Sequence, residues 1–355
     1  MNDKEYLRKL QKDAKASAKK VYGSAANREK MGMENRGEKP PYDATTYLYI
    51  RAYDGDYGAR PVPPGTVFWL SPDVELFDSA GTRITATDIN TGQHYTVEVT
   101  VTNDGDQNCN ACMVELYLDD PSIGFSVAAS SLLGSVTIPV NSHDKAVASF
   151  PFTASAAMAG HKCLFARAYS FLSNELPLDF VAFNAVEDRH LGQQNLNIVK
   201  QNTLIDFMIH LEIGQLHTNF ALMLKTDKKI LRQIPNFIRT NFNVVPIAIT
   251  AAAFNLQPHA GPLNRLELGL RPGVGTAAIK PPSRPPRATT RPDLSEALNR
   301  KRNTWNHKFE QEFNKLRLQI PDMGLKKGEA TPLNLWMKDE KTGKIVGGIT
   351  FLVTG

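Results

Sequence analysis

The ten residues His94–Asn103, HYTVEVTVTN, constrain the fold more than any other part of the chain. Tyr95, Val97, Val99 and Val101 fall on one side of an extended backbone, and Thr96, Glu98, Thr100 and Thr102 on the other. Successive side chains of a strand leave opposite faces, so this period of two marks a half-buried antiparallel strand. A helix would scatter the same valines around its circumference. Asn103-Asp104-Gly105 then supplies the turn chemistry that ends such a strand.

The pattern repeats downstream. CMVELYLDD alternates Val114, Leu116 and Leu118, SVTIPV alternates Val136, Ile138 and Val140, and KAVASFPF alternates Ala146, Ala148, Phe150 and Phe152. A small-residue turn ending at Gly160 leads to KCLFARAYSF, and QQNLNIV closes the set. Upstream, TTYLYIRAY and TVFWL are broken by Asp54-Gly55 and Pro61–Gly65 and read as an extended lead-in with an edge strand. A second series follows: Ile205, Phe207, Ile209, Leu211 and Ile213, then Phe220, Leu222 and Leu224, then LNLWM and GGITFLV. Short strands at near-regular spacing, each closed by turn residues, predict an all-β chain of two tandem sandwiches.

The strings FWLSPDVELFD, YTVEVTVTNDGDQNCNACMVELYL, IPVNSHDKAVASFPF, GHKCLFARAYS and EDRHLGQQNLNIV resemble bacterial immunoglobulin-like domains of the cell-adhesion-related (CARDB) kind over about residues 65–200. In that family an S-P-D-hydrophobic opening precedes a V-x-V-x-N-x-G strand and turn. A G-H-x-C-L-x-A-R strand and an R-x-x-x-Q-x-N closing strand come later. The resemblance implies an immunoglobulin-like sandwich used for binding or assembly, since that fold carries no chemistry of its own. KKGEATPLNLWM with GKIVGGITFLV resembles the last two strands of a second such domain.

The expected organisation is a basic helical arm and linker over 1–42, a first sandwich with its lead-in over 43–200, and a second over 201–355. The second is interrupted by an insertion at about 226–320. That insertion holds a short helix near Asp227–Phe237, an Ala-rich stretch and the segment KPPSRPPRATTRP. A longer helix follows from Leu294 to Leu316, where Leu294, Leu298, Trp305, Phe309, Phe313 and Leu316 make one apolar face.

Charge is uneven in a way that bears on partners. Residues 1–40 carry eleven Lys or Arg against six Asp or Glu, and Lys280–Arg302 carries seven against two. Lys9, Lys12, Lys19 and Lys20 in the arm, and Lys280, Arg284, Arg287 and Arg291 in the proline segment, are the candidate partner-binding residues. Polyproline geometry with regularly spaced arginines fits a stiff peg for an acidic groove as well as it fits a solvated loop. No RNA-binding aromatic–basic motif accompanies these segments, so other protein subunits, in a homo- or hetero-oligomer, are the expected partners rather than nucleic acid. No apolar run of about 20 residues is present; the longest, Val244–Phe254, contains Pro246. The N-terminus has no apolar segment of the Sec type, so the expectation is cytoplasmic synthesis, after which the protein either stays there or leaves by a route that needs no signal, such as a released or surface-attached particle.

Chemistry-bearing residues are sparse. Cys109 and Cys112 have C-x-x-C spacing, which can bind zinc or cycle as a redox pair. Thioredoxin-type chemistry needs the motif at a helix N-terminus, whereas here it opens a strand. A structural zinc site needs four ligands, and Cys163 is the one other thiol. His94, His143 or His161 would have to complete it. Free buried thiols, or a disulfide between one of the pair and Cys163, are the competing readings. Asp104, Asp106, Asp119 and Asp120 fit turn chemistry better than calcium binding. There is no H-E-x-x-H, no phosphate loop and no nucleophile elbow. The expectation is a non-catalytic structural or adaptor subunit without a cofactor, in a phage-tail-like particle or a surface complex. The alternative is a glycan- or surface-ligand-binding module using the rings of Tyr47, Tyr49, Tyr53, Tyr57, Phe68 and Trp69.

Overall fold

The computed structural model describes residues 45–123, 131–180, 183–209, 220–225, 233–247, 254–258, 269–271, 276–279, 315–339 and 342–355. The expected arm, with Lys9, Lys12, Lys19 and Lys20, lies outside them, as does the proline segment with Lys280, Arg284, Arg287 and Arg291. The described residues fall into two compact units. One comprises residues 45–119 and 131–196, the other 120–123 and the described residues from Asn197 onward.

The first unit is built from β1 (Leu48–Tyr49), β2 (Val74–Asp78), β3 (Arg83–Ile84), β4 (His94–Asn103) and β5 (Cys109–Asp119). After β6 (Ser122–Ile123), which belongs to the second unit, come β7 (Ser131–Val140), β8 (Asp144–Thr153), β9 (Cys163–Tyr169) and β10 (Leu191–Gln194). One sheet runs β3-β2-β4-β8, with β1 paired to the far end of β4; the other runs β10-β9-β5-β7. Taking β2, β4 and β8 as strands A, B and E, and β7, β5, β9 and β10 as C′, C, F and G, the order is that of an immunoglobulin-like sandwich. The alternation legible in the sequence is what fills it. Tyr95, Val97, Val99 and Val101 of β4 join Val114, Leu116 and Leu118 of β5 and Leu164, Ala166 and Ala168 of β9 in one core. Each large apolar side chain buried there contributes about 1.5–3 kcal/mol before chain entropy is counted.

Two sequence signatures have local physical causes. In Ser71-Pro72-Asp73, the Ser71 hydroxyl donates to the Arg51 carbonyl at 2.6 Å and accepts from the Asp73 N–H at 3.1 Å. The buried Asp73 carboxylate then accepts from the Arg51 N–H at 2.9 Å and from its guanidinium, tying the lead-in to the start of β2. In Asn103-Asp104-Gly105, the buried Asn103 amide is fully used. Its oxygen accepts from Tyr47 N–H (2.9 Å) and Gly105 N–H (3.1 Å), and its nitrogen donates to the carbonyls of Gln107 (2.8 Å) and Val140 (3.2 Å).

The second unit begins where the chain changes sheets. β11 (Leu196–Lys200) follows β10 after a single residue, Asn195, and the boundary between the units falls at Leu196–Asn197. Then come β12 (Leu204–Ile209), β13 (Phe220–Lys225), helix α1 (Asn236–Asn241), β14 (Asn243–Val244), β15 (Asn255–Pro258), β16 (Gly269–Arg271) and β17 (Thr276–Ile279). β18 (Lys315–Gln319), β19 (Glu329–Asp339) and β20 (Ile345–Thr354) complete it. The sheets are β11-β20-β19-β13-β17-β16, with β14 beside β19, and β15-β18-β12-β6. Ile205, Phe207, Ile209, Leu316 and Leu318 share a core with Leu333, Leu335, Met337, Ile349, Phe351 and Val353, making a second sandwich.

Helical expectations need correction here. Of the short helix expected near Asp227–Phe237, residues 227–232 lie outside the described set; a helix stands at Asn236–Asn241, with Pro235 (φ −53°) at its N-cap. Of the helix expected from Leu294 to Leu316, residues 294–314 lie outside the described set, while Lys315 and Leu316 open β18. Leu316, Leu318 and Ile320 are buried at a period of two, a strand beat that the helical spacing had absorbed. Within 226–320, β15, β16 and β17 extend both sheets.

Candidate functional site

β9 is buried along its whole length, not on alternate residues. Leu164, Ala166 and Ala168 point into the sandwich, so Phe165, Arg167 and Tyr169 point out, yet they are 2%, 4% and 4% exposed. The covering is the connection from β9 to β10, which folds back and lays Phe180 and Phe183 on them. Phe183 lies 5.2 Å from Tyr117 and 5.6 Å from Phe165, and Phe180 lies 5.3 Å from Tyr169. The Arg167 guanidinium occupies the centre, 5.0–5.7 Å from the ring centroids of Phe180, Phe183, Tyr169 and Tyr117. It is ion-paired with Glu115, which also accepts from the hydroxyls of Tyr117 (2.8 Å) and Tyr169 (2.9 Å). Burial, ahead of the Glu115 charge, pushes the Tyr169 phenol well above its ordinary range.

From this platform the chain projects a tip. Ser170 and Glu175 exchange backbone hydrogen bonds of 2.7 and 2.9 Å, closing a four-residue loop in which Asn174 takes φ +55°. Phe171 is 53% and Leu172 83% exposed, with Leu178 46% exposed nearby in sequence. Phe171 stacks on Phe180 at 6.2 Å with rings 3° from parallel, so the tip is continuous with the covered ring cluster.

The base of the tip is clamped by buried charge. The Glu175 carboxylate accepts from Arg189 (2.7 Å) and His190 Nε2 (2.9 Å), and His190 Nδ1 faces Asp188 at 2.8 Å. Burial disfavours each of these charges, but the attraction among them outweighs it: Asp188 raises the His190 pKa, and Arg189 and His190 lower that of Glu175. With His190 protonated, the two cations and two carboxylates balance. Both imidazole nitrogens are engaged, leaving no lone pair for proton transfer to a substrate.

Beside the tip lie the thiols. Cys109 pairs with Val140 and Cys112 with Ile138, a register shift that gives β5 one residue more than β7 over this span. Both side chains are therefore buried in the same core, whereas an unbroken strand would turn them to opposite faces. Hydrogen bonding from Cys112, working against burial, and then from Ser170, Ser173 and the Ala111 N–H, holds the Cys109 thiol down to about 6. Hydrogen bonding to Cys109 and burial push Cys112 strongly up.

Several expected sites are not assembled. The Cys163 thiol donates to the Asn195 side-chain oxygen and forms no disulfide, so it neither bridges to the pair nor completes a zinc site with Cys109 and Cys112. Among the described residues no three His, Cys, Asp or Glu side chains group to hold a metal ion. His143 pairs with Asp106 at 2.9 Å and His94 with Thr153 at 2.8 Å. The aromatic lead-in is not an exposed face. Tyr49, Phe68 and Trp69 are buried, Tyr47 lies under the Arg189 guanidinium at 4.2 Å, and of the six rings Tyr57 alone is more than half exposed. Asp56 caps its own turn, accepting from Ala52 N–H (2.8 Å) and Gly58 N–H (2.9 Å). Sequence reasoning missed the tip and the Arg167 cluster; the available signal was the unbroken apolar run around one arginine in CLFARAY.

Neither a family model nor a curated protein matches the sequence. Solved structures similar to the chain include the CARDB domain of a Pyrococcus furiosus protein in complex with di-metal ions (12% identity, 43% of this chain and 94% of that one, TM-score 0.25). The CupB6 tip adhesin from Pseudomonas aeruginosa is another (10% identity, 87% and 97%, TM-score 0.18), as is a beta-glucosidase from Listeria innocua (16% identity, 45% and 20%, TM-score 0.19). At these scores it is the chain's own strand order that identifies its first unit as an immunoglobulin-like sandwich.

Proposed function

We propose that the chain is a non-catalytic adaptor that docks onto a partner protein through the Phe171–Leu172 tip. One observation carries this reading: Leu172 is 83% exposed on a loop whose base is fixed by the buried Glu175, Asp188 and His190 side chains together with Arg189. A large apolar side chain left in water gains nothing for the free chain, while a pre-shaped loop loses little entropy on binding. Loops between strands F and G at the end of such sandwiches are also where recognition is commonly built. The CARDB-type resemblance and a setting in a phage-tail-like particle or surface complex belong to the same proposal.

A photoreactive phenylalanine analogue at Leu172 tests it in the cells that make the protein, with a control at the exposed Thr137 on β7. The expected result is one discrete protein adduct from position 172 and none from position 137. Adducts absent from both, or equally diffuse at both, contradict the proposal.

A glycan-binding reading keeps one supporting observation. A depression of about 700 Å³ is lined by Phe77, Asp78, His94, Phe152 and Thr153. Retention on a glycan column that is lost in Phe152→Ala and kept in Leu172→Ser would favour it.

A further inference from the structure

The bulge in β5 has a chemical consequence. Three residue steps from Cys109 to Cys112 span two steps on β7, from Val140 to Ile138. Both thiols therefore enter the same core, each 0% exposed, and the Cys112 thiol donates a hydrogen bond to the Cys109 sulfur. The third cysteine is held apart on Asn195. Ser170 and Ser173, the hydroxyls that reach Cys109, belong to the tip. Cys109 thus lies beneath the base of the tip.

We propose that Cys109 and Cys112 form a dithiol that a low-molecular-weight disulfide converts to an intrachain disulfide. Cys109 sulfur, as thiolate, attacks one sulfur of the oxidant; the oxidant's S–S bond breaks and its first half leaves as a thiolate. Cys112 then gives up its proton to solvent and attacks Cys109 sulfur, and the mixed disulfide breaks to release the second half. The protein loses two protons and two electrons, and the oxidant becomes two thiols. The roles follow from the environments: hydrogen bonds to Cys109 favour its thiolate, while Cys112 keeps its proton until the second step. The inference concerns the thiols alone and stands whether or not the tip docks a protein.

The test uses the full-length folded protein carrying Cys163→Ser, treated with oxidised glutathione, alkylated and mapped by peptide mass. The expected product has lost two hydrogens and contains one peptide linked from Cys109 to Cys112. With Cys112→Ser added, the second step is blocked, and one glutathione is retained on Cys109. If the folded protein keeps both thiols under oxidant that links them in the denatured chain, the proposal is wrong. A folded wild-type product linked through Cys163 would overturn it equally.

Discussion

The imidazole of His190 lies between two carboxylates, with Nε2 2.9 Å from Glu175 and Nδ1 2.8 Å from Asp188, and all three side chains are buried. A raised histidine stabilises the fold fully below its ordinary pKa of 6.5, and that contribution is lost as pH rises through the folded value. The lowered carboxylates act in the opposite sense. Their contribution is present above 4.5 for Glu175 and 3.8 for Asp188, and it is lost as pH falls through their folded values. Stability of the first unit should therefore be greatest between 4.5 and 6.5. His190→Gln should cost about 3–5 kcal/mol in that window, as breaking a buried charge cluster does, and less well above it. Urea unfolding of both proteins across pH measures this; a pH-independent difference would mean that His190 is buried uncharged.

Arg167 is held by planarity as much as by charge. Lysine keeps the charge but cannot face four rings or donate through two nitrogens to Glu115. Arg167→Lys should lower stability by about 1–3 kcal/mol. Urea titration reads it as a lower midpoint at unchanged slope. A wild-type midpoint would show that the ring cluster needs only a positive charge.

Gly105 has no room for a side chain. A Cβ there would stand 2.1 Å from the Thr45 carbonyl oxygen and 2.6 Å from the Tyr47 nitrogen, and backbone cannot swing aside as a side-chain end can. Gly105→Ala should push the lead-in off β4 and break the bond from Tyr47 N–H to Asn103, at a cost of about 2–4 kcal/mol. Amide hydrogen exchange at Tyr47 should accelerate in parallel. Unchanged exchange would show that the lead-in is not held at this point.

The strands that alternate were legible in the sequence. HYTVEVTVTN became β4 residue for residue, and KAVASFPF lies within β8, since one face of each meets the core and the other water. Ser71-Pro72-Asp73 and Asn103-Asp104-Gly105 were legible as strings, and their hydrogen bonds now give the physical reason for them. The tip was not legible. β9 is buried on both faces, which erases the period of two, and Glu175, Asp188 and His190 meet only once the F–G connection has folded back. The shared side of Cys109 and Cys112 depends on a bulge that spacing alone does not reveal. Local alternation is written in sequence, but the covering of an outer sheet face is a tertiary event.

Docking through the tip is tested most directly by titrating the partner captured at position 172 against wild-type protein and Leu172→Ser, with melting curves of both. Removing about 1.5–3 kcal/mol of apolar burial should weaken binding roughly 10- to 100-fold. An exposed side chain is not part of the fold's core, so the melting temperature should stay put. Equal affinities for the two proteins would show that recognition lies elsewhere on the molecule.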